Sequence, residues 1–166
     1  MAIYIVDSNF FIEAHRKSYP LDVAFSFWNK VKQLANEGEI ISIDKVKNEL
    51  YDKNDDLEIW CKANLPMNFF KSTSTSISSY SKVCNWAVSK KNHYNETALN
   101  EFLDADEADA FLVAYTLDDN ENRILVTHEV SDLNIKRKIK IPEACNGLNV
   151  RFLSVMDMFR ELKETF

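Results

Sequence analysis

Glycine and proline are scarce in this sequence, which has two glycines and three prolines among its 166 residues. Because both residues favour turns and flexible segments, their scarcity argues against long linkers and low-complexity regions. The composition is 46% hydrophobic and 12% aromatic, which is enough for one well-packed core. We therefore expect a single domain that spans residues 1–166.

Cysteine is sparse as well, and the three cysteines lie far apart without a CxxC pair: Cys61, Cys84 and Cys145. This spacing favours neither a zinc site nor a disulfide framework. The apolar start of the chain is interrupted by Asp7 before it reaches the length of a signal peptide or a membrane span. These absences predict a cytoplasmic protein with no membrane contact.

Positive charge is in the minority, with 20 Lys and Arg against 26 Asp and Glu and a net charge of −6. Such a balance argues against long-range attraction of nucleic acid, so any RNA contact would need a local basic strip. Residues 136–138 with Lys140, and the pair Lys90 and Lys91, are the basic segments best suited to this role. An acidic excess is also typical of proteins that keep several carboxylates together to hold cations.

Short apolar runs alternate with helical patterns along most of the chain. Strands are predicted at residues 2–6, 39–43, 123–127 and 150–153, and helices at residues 21–36, 106–117 and 155–162. The middle of the chain is richer in helix signals than in strand signals. The alternation predicts an α/β protein with three α/β/α layers and a mainly parallel central sheet. Most of the aromatic residues near the start, including Phe10, Phe25 and Phe27, are interpreted as core or as an apolar groove.

Four acidic residues are expected to meet at the edge where the strands of this sheet end. Asp7 and Glu129 follow apolar strands, Asp109 lies in the first turn of the apolar helix, and Glu49 lies one turn into the helix after the second strand. Ligands of parallel sheets bind at this edge. Asp106 lies three residues before Asp109 and is predicted to share its helix face.

Each of these acids also has a purely structural interpretation, such as a helix cap, a solvated charge or a residue that compensates the helix dipole. Together, however, they repel one another, by roughly 4 kcal/mol for two carboxylates about 4 Å apart at an effective dielectric near 20. Converging acids therefore need either protons or bound cations. Oxygen ligands of this kind suit Mg²⁺ or Mn²⁺ better than Zn²⁺.

Four segments in order resemble the motifs of PIN domains: IVDSNFFIEA, VKNEL, DADEADAFLVAYTL and LVTHE. The resemblance covers almost the whole chain. It is closer to a VapC-like prokaryotic subfamily, in which IEAHRKSYP, a Phe-Trp pair such as Phe27-Trp28 and a late IPEAC segment are similar. The acid of the fourth motif is more often Asp in this family. Here it is Glu129, whose side chain is one methylene longer than that of Asp.

The resemblance implies a metal-dependent endoribonuclease whose carboxylates bind Mg²⁺ or Mn²⁺ and activate water for phosphodiester hydrolysis. Its metal ligands would be Asp7, Glu49, Asp109 and Glu129, with Asp106 as a helper. It further implies substrate contacts or positioning roles for Ser8, Asn9, Arg16 and Thr127. The expected partners are RNA and an antitoxin protein, because the chain resembles the toxin of a toxin–antitoxin pair, and we also expect that it can form a homodimer.

Two other functions stay open at this point. The acidic net charge and Glu129 also fit a catalytically weak PIN fold that binds RNA or protein. A phosphatase of the haloacid dehalogenase type would need an Asp two residues after Asp7, where the chain has Asn9, and a receiver domain would need a further strand-end Asp in the helix-rich middle. The sequence therefore favours the nuclease over these phosphoryl-transfer folds.

Overall fold

A computed structural model describes the whole chain, residues 1–166. Its sheet has five strands, all parallel, in the order β3-β2-β1-β4-β5. They are β1 (Ile3–Val6), β2 (Ile40–Ile43), β3 (Phe70–Lys71), β4 (Arg123–Val126) and β5 (Phe152–Leu153). Helices cover the sheet on both faces, so the predicted three-layer α/β/α fold is confirmed.

Nine α-helices and one π-helical segment connect and flank the strands. The helices are α1 (Ser8–Glu13), α2 (Phe25–Asn36), α3 (Asp44–Leu50), α4 (Asp56–Asn64), α5 (Ile77–Ser89), α6 (Glu96–Phe102), α7 (Ala108–Leu117), α8 (Ile141–Leu148) and α9 (Val155–Leu162). The π-helical segment, Ala14–Ser18, continues directly from α1. None of the helices is long and apolar enough to cross a bilayer.

The three central strands are apolar runs because helices bury them on both faces of the sheet. Every residue of β2 is buried, as are the last three residues of β1 and of β4. In the register of this sheet Val6 lies opposite Val126, so the central strands β1 and β4 end side by side. The residues that follow them therefore leave the sheet at the same edge.

The start of the second predicted segment, the helix from residue 21, differs from the observed element. The helix predicted from residue 21 begins at Phe25, because the N–H groups of Val23 and Ala24 bond to the Pro20 carbonyl and close a turn. Phe25 itself is 63% exposed, so it is not a core residue. Phe10 and Phe27 are buried as expected, and Phe27 packs against several other aromatic rings.

Gly147 is the tightest glycine position in the fold. A Cβ atom there would overlap the indole ring of Trp86, where α8 packs against α5. We expect Gly147→Ala to lower the free energy of unfolding by about 1–2 kcal/mol, because overpacking outweighs the better helix propensity of alanine. Urea denaturation measures this change, with Asn146→Ala, at the exposed neighbour in the same helix, as the control. Equal stability of the two variants would contradict the prediction.

Candidate carboxylate site

Asp7 and Thr127 are the first residues beyond the paired strands β1 and β4, so they lie side by side at the carboxyl edge of the sheet. The Thr127 side chain lies beside the carboxyl group of Asp7, whose pKa it lowers. Its Oγ1 accepts a hydrogen bond of 3.1 Å from the backbone N–H of Glu129. Thr127, which is buried, thereby connects the acid that follows β1 to the loop that carries the acid after β4.

Asp7 is both a helix cap and a member of the acidic site. Its Oδ1 accepts a hydrogen bond of 2.9 Å from the backbone N–H of Phe10, which caps the N-terminus of α1. The side chain is buried, and burial raises the pKa of Asp7 to about 7, to which the charges of Asp109 and Glu129 add. The carboxyl group is therefore half-protonated near neutral pH.

Asp109 lies in the first turn of α7 and is half-buried. Burial also raises its pKa to about 7, the charge of Glu129 adds to this effect, and the ammonium of Lys138 opposes it. Two acids of the predicted set thus share both the edge of the sheet and the same electrostatic environment. A second positive charge at this place would ionise both groups at neutral pH.

Glu49 joins the site through α3, which packs against α1 and α7. Its Oε2 accepts a hydrogen bond of 2.5 Å from the hydroxyl of Ser8, and its charge contributes to the raised pKa of Asp109. Ser8, expected to position Asp7 or a phosphate, therefore contacts Glu49 instead. The hydroxyl orients this carboxylate, because a side-chain hydrogen bond fixes one of its oxygens.

One carboxylate oxygen of Glu129 forms an ion pair, and the other has no hydrogen-bond partner. Its Oε1 lies 3.5 Å from the ammonium of Lys138. Its Oε2 is buried and has no hydrogen-bond partner. A buried carboxylate oxygen without a partner is costly, so this atom is where a proton or a cation would be most stabilising.

Lys138 reaches the site from the long loop between β4 and α8. The ammonium of Lys140 donates a hydrogen bond of 2.8 Å to the Val130 carbonyl. The buried carboxylate of Glu143 accepts a hydrogen bond from the Ser131 hydroxyl and another, of 3.0 Å, from the backbone N–H of Asp132. These contacts fix the loop. They place Lys138 beside the acids, whereas its neighbours at positions 136 and 137 form no ion pair.

Asp109 opens into a cleft of about 240 Å³, the first cleft, whose other polar lining residues are Glu101, Glu107 and Lys138. Asp7, Glu49 and Glu129 do not line it. Glu107 is a member that the sequence did not single out. It is the N-cap residue of α7, and its pKa is raised by burial and by the charge of Glu49. The only sequence signal for it was its place two residues before Asp109 in a crowded acidic segment.

Asp106 was predicted to share the helix face of Asp109, and this placement is wrong. The helix begins at Ala108, so Asp106 lies outside it and is exposed. The cause is a local turn, because the Asp104 side chain accepts a hydrogen bond of 2.9 Å from the backbone N–H of Asp106. Such a side-chain bond competes with helix formation and delays the helix start.

The remaining residues predicted to bind substrate lie at different distances from the acids. Asn9 is exposed on α1. Arg16 is exposed in the π-helical segment and lines a second cleft, of about 300 Å³, to which Glu49 also contributes. The second cleft therefore includes Glu49, whose charge also acts on Glu107 and Asp109 in the first cleft.

The donor set fits a hard divalent cation in its chemistry. It contains only carboxylate oxygens, one of which is buried and unpaired, and such ligands suit Mg²⁺ or Mn²⁺. As they stand, no three Asp, Glu, His or Cys side chains form a group that could hold a metal ion. The acids influence one another through their charges, and their side chains would have to move to share an ion.

Glu107 and Asp106 differ in position, so they should differ in their effect on cation binding. We expect Glu107→Gln to weaken Mn²⁺ binding by about tenfold, because the carboxylate lies in the first cleft beside Asp109. The matched variant Asp106→Asn should change the affinity less than about twofold, since this side chain does not line the first cleft. Titration calorimetry with Mn²⁺ measures both. A larger loss of Mn²⁺ affinity in Asp106→Asn than in Glu107→Gln would show that Asp106, and not Glu107, belongs to the site.

The chain is similar to one family of proteins. No curated protein and no solved structure matches the chain. Residues 4–166 match a family described as a domain of unknown function, which is nearly the whole length of the chain. The chain therefore belongs to that family, the Domain of unknown function (DUF4411).

Proposed function

We propose that the protein is a metal-dependent endoribonuclease that hydrolyses phosphodiester bonds of RNA with Mg²⁺ or Mn²⁺. One observation carries the proposal. At the carboxyl edge of a parallel sheet, acids from four separate parts of the chain act on one another through their charges, and the pKa values of Asp7 and Asp109 are raised to about 7. The resemblance of four ordered segments to PIN-domain motifs gives this site its expected chemistry.

The residues of the chain would divide the work as follows. The carboxylates of Asp7, Glu49, Asp109 and Glu129 would hold the cation, with Glu107 at the edge of the group. When bound, such a cation supplies Lewis acidity, which makes water a better nucleophile at neutral pH and offsets negative charge on a phosphate. Thr127 keeps Asp7 oriented, and Ser8 keeps Glu49 oriented. These two hydroxyls act as positioning groups.

Lys138 has a double role in this proposal. Beside Glu129 and Asp109 it offsets part of the carboxylate repulsion in the metal-free protein. The side chain is 50% exposed, so its ammonium can also leave Glu129 and contact a phosphate in the first cleft. The same loop thus supplies both an acid and a counter-charge.

The cellular setting of the proposal rests on the resemblance to VapC-like proteins. Such a nuclease would act in the cytoplasm as the toxin of a toxin–antitoxin pair and would be silenced by an antitoxin protein. Self-association as a homodimer is a further expectation. Co-purification from the native host, followed by identification of the bound protein, tests for the antitoxin.

The test of the activity is cleavage of labelled RNA by purified protein. We expect cleavage with Mg²⁺ or Mn²⁺, none with EDTA, and recovery when Mn²⁺ is restored. Asp109→Asn, purified in the same way, serves as the control for a contaminating nuclease, and it should cleave far more slowly. Activity that survives chelation, or that is equal in Asp109→Asn, would contradict the proposal.

A second candidate, a catalytically weak RNA- or protein-binding module, is favoured by one contact. Lys138 lies beside Oε1 of Glu129 and already offsets part of the negative charge that would attract a cation to this carboxylate. This candidate predicts RNA binding that is unchanged by EDTA, with no cleavage under any metal condition. The same assay therefore separates the two functions.

A further inference from the structure

The second cleft brings two cationic side chains, Arg16 and Lys53, next to the acidic site. Its polar lining residues are His15, Arg16, Glu49, Lys53 and Asp55, and its walls are apolar, with Ile12, Leu50 and Leu57. Glu49 belongs to the carboxylate site as well. A chain-like ligand that runs from the acids past Glu49 would therefore enter this cleft next.

The π-helical segment presents two consecutive residues to the cleft. The N–H of Tyr19 bonds to the carbonyl of Ala14 at 2.7 Å, five residues back, which widens the turn. Insertions of this kind are frequent at functional sites. In the widened turn both His15 and Arg16 line the cleft. The Nδ1 atom of His15 is buried and has no hydrogen-bond partner within the protein, which a reorientation of the ring toward a ligand would supply.

Another part of the cleft lining is the loop that carries Lys53. Asp52 and Asn54 have positive φ angles of 64° and 54°, a left-handed conformation that Asp and Asn adopt more readily than other non-glycine residues. Glu58 fixes this turn, since its Oε1 accepts hydrogen bonds of 2.8 Å from the N–H of Lys53 and 3.0 Å from the N–H of Asn54. The backbone of Lys53 is therefore fixed at the cleft.

The two cations of the cleft are not used elsewhere in the protein. Neither Arg16 nor Lys53 takes part in an ion pair. The carboxylate of Asp55, which also lines the cleft, is engaged as the N-cap of α4 and accepts a hydrogen bond of 2.9 Å from the N–H of Glu58. Glu49 accepts a hydrogen bond from Ser8 as well, so Arg16 and Lys53 are the charged groups of the cleft that have no partner within the protein and can meet an anion.

We propose that His15, Arg16 and Lys53 form a subsite for a phosphodiester group of single-stranded nucleic acid, next to the bond that is cut at the carboxylates. The inference rests on the proposed nuclease function, because that function brings a phosphodiester chain to Glu49. The cations contact the phosphate, His15 donates or accepts a hydrogen bond, and the apolar wall contacts a sugar or base. A contact of this kind holds the strand in register without reading its sequence.

Binding to catalytically impaired protein tests the subsite apart from cleavage. In the Asp7→Asn background, a fluorescein-labelled single-stranded RNA is titrated at several salt concentrations and followed by fluorescence anisotropy. The double substitution Arg16→Ala with Lys53→Ala is compared with Lys82→Ala, an exposed lysine on α5. Unchanged thermal unfolding of the double variant confirms that its fold is intact, as expected for two exposed side chains.

We expect the double variant to bind about tenfold more weakly and to show a salt dependence shallower by roughly 0.7 for each lost phosphate contact. Lys82→Ala should behave as the background protein does. Single-stranded DNA of the same sequence should show the same reduction in slope, since the phosphate is the group recognised. Equal binding by the double variant and Lys82→Ala, an effect confined to RNA, or no binding by the background protein would overturn the subsite. Failure of the nuclease function would appear separately, as absent cleavage by the unsubstituted protein.

Discussion

Asp7→Asn should reduce metal-dependent RNA cleavage by at least about 100-fold, because loss of a cation ligand removes several kcal/mol of transition-state stabilisation and each 1.4 kcal/mol is a factor of ten. The fold should survive. Asn is as good an N-cap residue as Asp, so the bond to the N–H of Phe10 can be kept. Single-turnover cleavage rates with Mn²⁺ measure the effect.

The matched control for this variant is Asp56→Asn, which removes an exposed acid from the first turn of α4. It should cleave within about twofold of the unsubstituted protein, since a surface charge is screened by salt. If Asp7→Asn cleaves as fast as Asp56→Asn, the acid that follows β1 has no part in catalysis. The proposed role of the carboxylate edge would then be wrong.

The metal-free protein should become less stable as the pH rises from about 4 to about 7. Burial raises the pKa of Asp7 and of Asp109 to about 7, so the folded state binds more protons than the unfolded state in this range. The stabilisation is complete below the unfolded pKa, near 4, and is lost as the pH rises through the folded pKa. A pKa raised from near 4 to about 7 corresponds to about 4 kcal/mol for a buried carboxyl group such as Asp7.

Urea denaturation in EDTA at about pH 5 and about pH 8 measures this loss, for which we expect 2 kcal/mol or more, within the roughly 4 kcal/mol of the linkage relation. Asp7→Asn cannot lose its side-chain proton, so its stability should depend less on pH, and at the higher pH it should exceed that of the unsubstituted protein. Added Mn²⁺ should restore stability to the unsubstituted protein by mass action. Equal pH dependence of the two proteins would contradict the raised pKa of Asp7.

The sequence was a good guide to the parts of the fold that have a strong pattern. The central strands are short apolar runs followed by polar turn formers, and the α9 helix was predicted at its observed bounds, Val155–Leu162. The strand β3 was missed because two residues are too few to show a periodicity. Helix α8 was missed as well, although the segment IPEAC, which carries part of the resemblance, lies inside it.

The positions of Asp7 and Glu129 could be predicted from the sequence because they follow directly from the predicted strands. Parallel strands end at one edge, so Asp7 and Glu129, which follow β1 and β4, had to lie at that edge. Asp106 was misplaced because one side-chain bond from Asp104 moved the helix start by two residues, from 106 to 108. The hydrophobic periodicity of the sequence does not predict a hydrogen bond of this kind.

The sequence by itself therefore determined the fold class and the side of the sheet to which the acids belong, because hydrophobic periodicity and strand direction are local properties that add up along the chain. Only the tertiary structure decided that Ser8 contacts Glu49, that Lys138 returns to Glu129 from a long loop, and that Glu107 replaces Asp106 beside Asp109. The tertiary structure also decided that the pKa values of Asp7 and Asp109 are raised. They depend on desolvation and on neighbouring charges, and both are fixed by whatever packs around a carboxyl group rather than by the residues next to it in the chain.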